Sequence, residues 1–161
     1  ADKQWDVKPS KEYFTELQRV SKNQIIWGGN YFTDVLPVSE CWLVWDKNNG
    51  ESNFADAELA WTSFSGSVRL KKITWCGSSA MHETGKNKIH PTQKPNKLYA
   101  WILERYAEKG QKILDTHLGS GSIAIACHYA GFDLTASEID TEYFEATMKR
   151  IQQETAQTSL F

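Results

Sequence analysis

The 161-residue chain predicts an α/β fold organised around a ligand-binding turn, and three observations carry that expectation. Residues 112–116 (KILDT) read as a short strand with polar residues at its carboxyl end. A glycine turn follows at Gly119-Ser120-Gly121, and then the small, apolar run 123–130 predicts a helix. About twenty residues on, Glu138 in SEID closes a second predicted strand, 133–137, where an acid is placed to hydrogen-bond a ribose. Gly119 and Gly121 carry no Cβ and permit positive φ. The helix after them aims its free N–H groups and positive dipole end into the turn. Taken alone, such a turn is open to nicotinamide, flavin or phosphate ligands.

The other elements follow in order. Pro9 and Ser10 open a helix that runs to Val20, with Tyr13, Phe14, Leu17 and Val20 on one face. Residues 24–27 form a short apolar run before Gly28-Gly29 and read as a buried parallel strand. CWLVWD at 41–46 is a second buried strand, and Asn48–Gly50 marks a turn. Residues 59–64 and 72–75 predict two further strands, read as an antiparallel pair. Residues 76–89 are rich in Gly, Ser, Asn and Lys without periodicity, which predicts a mobile recognition loop. HPTQKP at 90–95 leads into a helix over 96–108 with Leu98, Ile102, Tyr106, Tyr99 and Leu103 on its apolar side, ended by Gly110. The last helix spans 141–154 with Phe144, Thr147, Met148 and Ile151 as its inner stripe. Buried strands account for most of the seven tryptophans without any ligand.

Composition sets bounds. The length suits one domain or the larger part of one, and no stretch is long and apolar enough to span a membrane. Cys41, Cys76 and Cys127 are odd in number and scattered, which points to a reducing cytoplasm without a disulfide frame. Cys76, His82 and His90 lack the close pairing of a zinc site. The net charge of −2 hides an asymmetry: residues 66–98 carry seven Lys/Arg and one acid, Glu83, for a local +6. A solvated loop and a phosphate-binding surface are both consistent with that stretch.

HPTQKP, followed about twenty residues later by LDTHLGSGSIAIA, resembles the amino-methylating DNA methyltransferases, which modify adenine N6 or cytosine N4 with S-adenosylmethionine. The glycine motif of that family is close to Asp-Pro-Phe-x-Gly-Ser-Gly-Thr-Thr. Asp115, Gly119, Ser120 and Gly121 match it, Thr116 and His117 replace Pro-Phe, and Ser122 stands for the first Thr. SEIDTEYFEATMKRI resembles the family's acidic ribose motif and its helix, and NQIIWGGNYF at 23–32 with residues 45–47 resembles its central strands. The catalytic half precedes the cofactor half in this permuted order. The family's catalytic motif, Asp/Asn/Ser-Pro-Pro-aromatic, has no counterpart here: the four prolines are Pro9, Pro37, Pro91 and Pro95.

The resemblance implies a Rossmann-like methyltransferase fold, with a central, mostly parallel sheet, helices on both faces and its N-terminal strands missing. It implies one truncated domain over 1–161, with 47–90 as a target-recognition insert and 155–161 as a flexible tail. It places the catalytic residues upstream of Ala1, in a segment that is missing, cleaved or carried on another chain, so none is assigned here. The cofactor, S-adenosylmethionine, falls to Asp115, Thr116, His117, Gly119, Ser120, Gly121, Ser122 and Glu138, with His90, Thr92 and Lys94 closing over its methionine end. Double-stranded DNA falls to Arg69, Lys71, Lys72, Lys86 and Lys88. The activity implied is methyl transfer to the exocyclic amine of a flipped base in the bacterial or phage-encoded cytoplasm, adenine N6 first. Cytosine N4 and a catalytically inactive cofactor- and DNA-binding relative are the alternatives. The ending QTSLF resembles the bacterial sliding-clamp pentapeptide, with Gln157, Leu160 and Phe161 as contacts and Thr158 as a departure.

Overall fold

The computed structural model describes residues 7–50, 53–75 and 88–156. The chain divides into two compact units, Ala1–Cys76 and Gly77–Phe161.

The first unit opens with helix α1, Lys11–Val20. Its Phe14 is buried in a cluster with Leu36 and Trp61, and the Phe14 and Phe32 rings lie 5.1 Å apart. Strand β1, Ile25–Trp27, leads into a short 3-10 turn, Gly29–Tyr31. Three strands follow: β2, Trp42–Asp46, β3, Ala57–Thr62, and β4, Arg69–Lys72. They form one sheet in the order β1-β3-β2-β4. In β2 the side chains alternate, and Leu43 and Trp45 are fully buried, as the period of two in a pleated strand requires. Trp45 sits edge-on to Trp27 and Trp75, with centroids 6.5 and 6.3 Å away. Its indole N–H donates to the Ile73 carbonyl at 3.1 Å. The indole of Trp61 donates to the Pro37 carbonyl at 2.7 Å. Trp45, Trp61 and Trp75 are core residues, as the sequence predicts, and Trp27 is half-buried.

The second unit contains helix α2, Asn96–Tyr106, strand β5, Lys112–Asp115, helix α3, Ser122–Ala130, strand β6, Asp133–Ala136, and helix α4, Thr141–Thr155. Strands β5 and β6 pair in parallel, with Asp115 opposite Ala136. Helix α3 is the hub: it packs on α2, α4 and β6. Leu103, Leu118, Ile123, Ala126 and Cys127 form the core between them. Gly131, in the left-handed conformation, ends α3 by donating its N–H back to the last turn. Asp140 caps α4 by accepting the Tyr143 N–H at 3.1 Å, an acid where the helix dipole favours one.

Several expectations need correction. Among the described residues the first unit holds a four-stranded mixed sheet and the second a parallel strand pair. Strand β1 is half-buried and antiparallel to β3, with Ile26 opposite Trp61. The strands near 59–64 and 72–75 begin two or three residues earlier. They are not neighbours of each other, because β2 lies between them, antiparallel to β3 and parallel to β4. Apolar periodicity reports that a strand is buried but not which way its partner runs. Residues 57–62 form a central strand of the first unit's sheet. Helix α1 leaves Val20 52% exposed, and α4 leaves Phe144 43% and Met148 39% exposed. Thr147 and Arg150 are the buried residues of α4. No helix among the described residues is long and apolar enough to cross a membrane.

Leu43→Ala opens a cavity in the centre of β2 and is expected to cost about 2–5 kcal/mol. Val38→Ala, at a fully exposed residue, is expected to stay within about 0.5 kcal/mol. Urea denaturation followed by tryptophan fluorescence measures both.

Candidate ligand-binding site

The glycine turn joins the carboxyl end of β5 to α3, and Glu138 stands just beyond β6. The parallel pair brings these two strand ends together. The Ser137 N–H donates to the Asp115 carbonyl at 2.9 Å, and the Leu118 N–H donates to the Ser137 carbonyl at 2.9 Å. Glu138 completes the tie. One carboxylate oxygen accepts the Gly119 N–H at 2.8 Å, and the other accepts the Asp140 N–H at 3.0 Å. A carboxylate has about four acceptor sites, so two remain open to a ligand.

Asp115 sits at the end of β5 and accepts the His117 N–H at 2.9 Å. Burial pushes its carboxyl above the ordinary value of 3.8, and the charge of Glu138 pushes the same way. The His117 amide, the His117 ring and Lys94 oppose the shift. The mouth of the turn therefore holds two carboxylates. Nearby Cys127 is buried, and burial, aided by the Asp115 charge, pushes its thiol up to about 11. It is a packing group and not a nucleophile.

Gly119 and Gly121 both have positive φ, +53° and +75°. A Cβ on Gly121 would lie 2.6 Å from the Thr147 methyl, and a Cβ on Gly119 would meet the His90 ring at 3.6 Å. The buried His90 ring thus lies against the turn, and its other neighbour is Tyr143, with centroids 4.4 Å apart. The Thr92 N–H donates to His90 Nδ1 at 3.3 Å, which assigns the ring proton to Nε2.

The structure brings all eleven predicted cofactor residues into the second unit, but their side chains divide into two groups. Asp115, Glu138, His90 and Gly119 meet around the turn. His117 is exposed, with its ring on the Thr116 hydroxyl at 3.0 Å. Ser120 and Ser122 are buried and bonded to each other at 3.1 Å, and Ser122 donates to the Lys94 carbonyl at 2.7 Å. Their hydroxyls therefore face the protein interior.

Of the basic residues, Arg69, Lys71 and Lys72 lie on β4 in the first unit, where Lys72 approaches Asp46 at 3.5 Å. Lys88 is exposed in the second unit, just before HPTQKP. Lys86 and the tail residues Gln157, Leu160 and Phe161 lie outside the described residues, as does most of the predicted loop 76–89.

Sequence reasoning missed Arg150, Asn96 and Glu154. Arg150 is 8% exposed and donates to the Ser120 carbonyl at 2.7 Å. The available signal was position: Arg150 follows Thr147 by three residues and so shares the helix face that turns inward.

A family model described as DNA methylase, for the N6 and N4 enzymes, matches residues 3–149, and the chain belongs to that family of DNA amino-methyltransferases. Type II methyltransferase M.HpaI of Haemophilus parainfluenzae is 34% identical over 77 residues, 47% of this chain and 24% of that protein. Type II methyltransferase M2.DpnII of Streptococcus pneumoniae is 30% identical over 94 residues, 58% of this chain and 30% of that protein. The chain thus matches less than a third of the length of either relative. Among solved structures, the complex of M1.HpyAVI with SAM superposes with a TM-score of 0.63 at 22% identity, covering 89% of this chain and 85% of that one. The cytosine-N4-specific PvuII DNA methyltransferase gives 0.53 at 15% identity, covering 97% and 64%. These likenesses establish the α/β methyltransferase fold.

Two measurements check the geometry. Gly121→Ala combines left-handed strain with a clash at Thr147 and is expected to cost about 2–5 kcal/mol. Gly131→Ala, with open space around it, is expected to cost only about 1–2 kcal/mol in thermal or urea unfolding. The second concerns pH. A carboxyl whose folded pKa is raised holds its proton more tightly in the folded state, so its contribution to stability falls as pH rises from 3.8 through the folded value. Asp115→Asn removes that loss. The variant's stability relative to the parent is expected to climb over that window and then level off; a flat difference between about pH 4 and pH 8 contradicts the raised pKa.

Proposed function

We propose that this chain is the S-adenosylmethionine-binding part of a DNA amino-methyltransferase. The observation that carries the reading is the acidic turn, four of whose N–H groups are already bonded within the protein. A phosphate-binding glycine turn offers several free N–H groups to an anion. Here the N–H groups of His117, Leu118, Gly119 and Gly121 are already given to Asp115, Ser137, Glu138 and Leu118. Two carboxylates stand where a pyrophosphate would need positive potential. A nucleoside without phosphates, carrying a ribose diol and a cationic amino-acid end, suits this set of groups. S-adenosylmethionine is such a molecule, and its sulfonium supplies an activated methyl group.

The residues divide the work by chemistry. Glu138, with two acceptor sites remaining, takes the ribose hydroxyls. Asp115 faces the cationic methionine end, which favours its ionised form. His90, with its proton on Nε2, is a donor toward the carboxylate of that end. Lys94 balances the local negative charge. Gly119 keeps the turn flat under the His90 ring. No residue of this chain is assigned to activation of the target amine, since the sequence contains no Pro-Pro motif.

DNA is the proposed substrate. Adenine N6 is the favoured base because of the motif order, and cytosine N4 is the alternative. Arg69, Lys71, Lys72 and Lys88 are the described candidates for phosphate contacts, which would position the duplex without reading its sequence. The tail 157–161 remains a candidate clamp-binding segment on its sequence alone.

Isothermal titration with S-adenosylmethionine tests the cofactor reading. Glu138→Ala and Asp115→Ala are each expected to weaken binding by about tenfold or more, the scale of one lost hydrogen bond to a charged group. Unchanged affinity in both variants would remove the cofactor assignment.

A further inference from the structure

Arg150 is a buried cation bonded to two segments that are distant in sequence. Its Nη1 donates to the Ser120 carbonyl at 2.7 Å and to the Ser122 hydroxyl at 3.0 Å. Its Nη2 donates to the Asn96 amide oxygen at 2.9 Å. Its Nε donates to Glu154 at 2.7 Å. The ring closes because Asn96 donates to the second oxygen of Glu154 at 2.7 Å. Ser122 extends the network by donating to the Lys94 carbonyl. One turn earlier on α4, Thr147 donates to the Gly119 carbonyl. Helix α4 therefore holds both sides of the site: the carbonyls of the glycine turn, and the HPTQKP segment where it enters α2.

The geometry is that of a brace. A guanidinium presents its donors in a fixed planar fork, and here the fork is used on all three nitrogens. Bonds to a charged donor are the stronger ones. Glu154 neutralises the cation, and no buried side-chain polar atom among the described residues lacks a partner. A lysine at 150 would keep the charge but would lose the fork and reach fewer acceptors.

We propose that Arg150 is a positioning residue. With Asn96 and Glu154 it fixes the spacing between the glycine turn and the HPTQKP segment, and so prepares the cofactor site before a ligand arrives. Its link to the cofactor rests on the function proposed above; the bracing itself does not. Positioning of this kind matters because binding groups must be held by residues around them if they are to meet a ligand without further ordering.

The test uses the 161-residue chain with Arg150→Lys and Asn96→Ala. The second variant carries the test if the first fails to fold, because Asn96 is half-buried and its loss leaves Arg150 paired with Glu154. Amide hydrogen exchange is read at Gly121 and Ile125, whose N–H groups bond to Leu118 and Gly121. Ala107 and Phe132, bonded to Leu103 and Cys127, are the reference amides. Exchange at the turn is expected to rise about tenfold while the references stay fixed, and S-adenosylmethionine affinity is expected to fall about tenfold. Equal acceleration at all four amides marks a general loss of stability and overturns the proposal, as does unchanged exchange at the turn. Selective loosening with parental affinity overturns the positioning role. Selective loosening in a chain whose parent binds no S-adenosylmethionine supports the brace and refutes the functional reading instead.

Discussion

The hydrogen bond from the Gly119 amide to Glu138 is the constraint on which the second unit turns. Two parallel strands alone leave their carboxyl ends free to splay. Glu138 bridges them, because its two oxygens take one amide from each side of the junction. The turn that presents this amide has positive φ at Gly119 and Gly121, which a side chain would resist. It also fixes the electrostatic sign of the site. An amide given to a protein carboxylate is not available to a ligand anion, and the carboxylate itself repels one. The same contact both holds the loop in shape and uses up one of its donors.

A second charge arrangement opposes the first. Asp115 and Glu138 face the mouth of the turn, while the Arg150 guanidinium sits behind it, against the Ser120 carbonyl. The cation is buried, yet it is compensated by Glu154 and by neutral oxygens. An unpaired charge there would be strongly destabilising, and the hydrogen-bonded partners offset the cost of burying it. The turn is therefore polarised, acidic at its mouth and cationic toward the core.

The α/β character of the second unit was legible because its signals are local. The short strand before two glycines, the small-residue run after them and the regular spacing of an acid beyond the next strand can each be read along the chain. The directions and order of the first-unit strands were not legible. Strand β1 pairs with β3 some thirty-five residues later, and nothing in its three residues encodes a partner. Phe144 and Met148 match the helical period but are exposed, while Arg150 breaks the apolar pattern and is buried. A hydrophobic stripe marks the face that usually turns inward. It does not register a carbonyl-lined turn that a guanidinium can satisfy. Ser120 and Ser122 show the same limit: the motif places them at the site, but only the fold shows that their hydroxyls face the protein interior.

The network that closes the site spans residues 94–154. Its parts arrive from three stretches: the entry to α2, the glycine turn and the last helix. For an exchange of segments between relatives, these stretches are one inheritance unit. A crossover placed between α3 and α4 would join a turn from one parent to a brace from another, even though both glycine and acidic motifs would read as intact. Motif conservation in such a recombinant would conceal a mismatched interior, and the compatibility that matters would lie at positions 96, 147, 150 and 154.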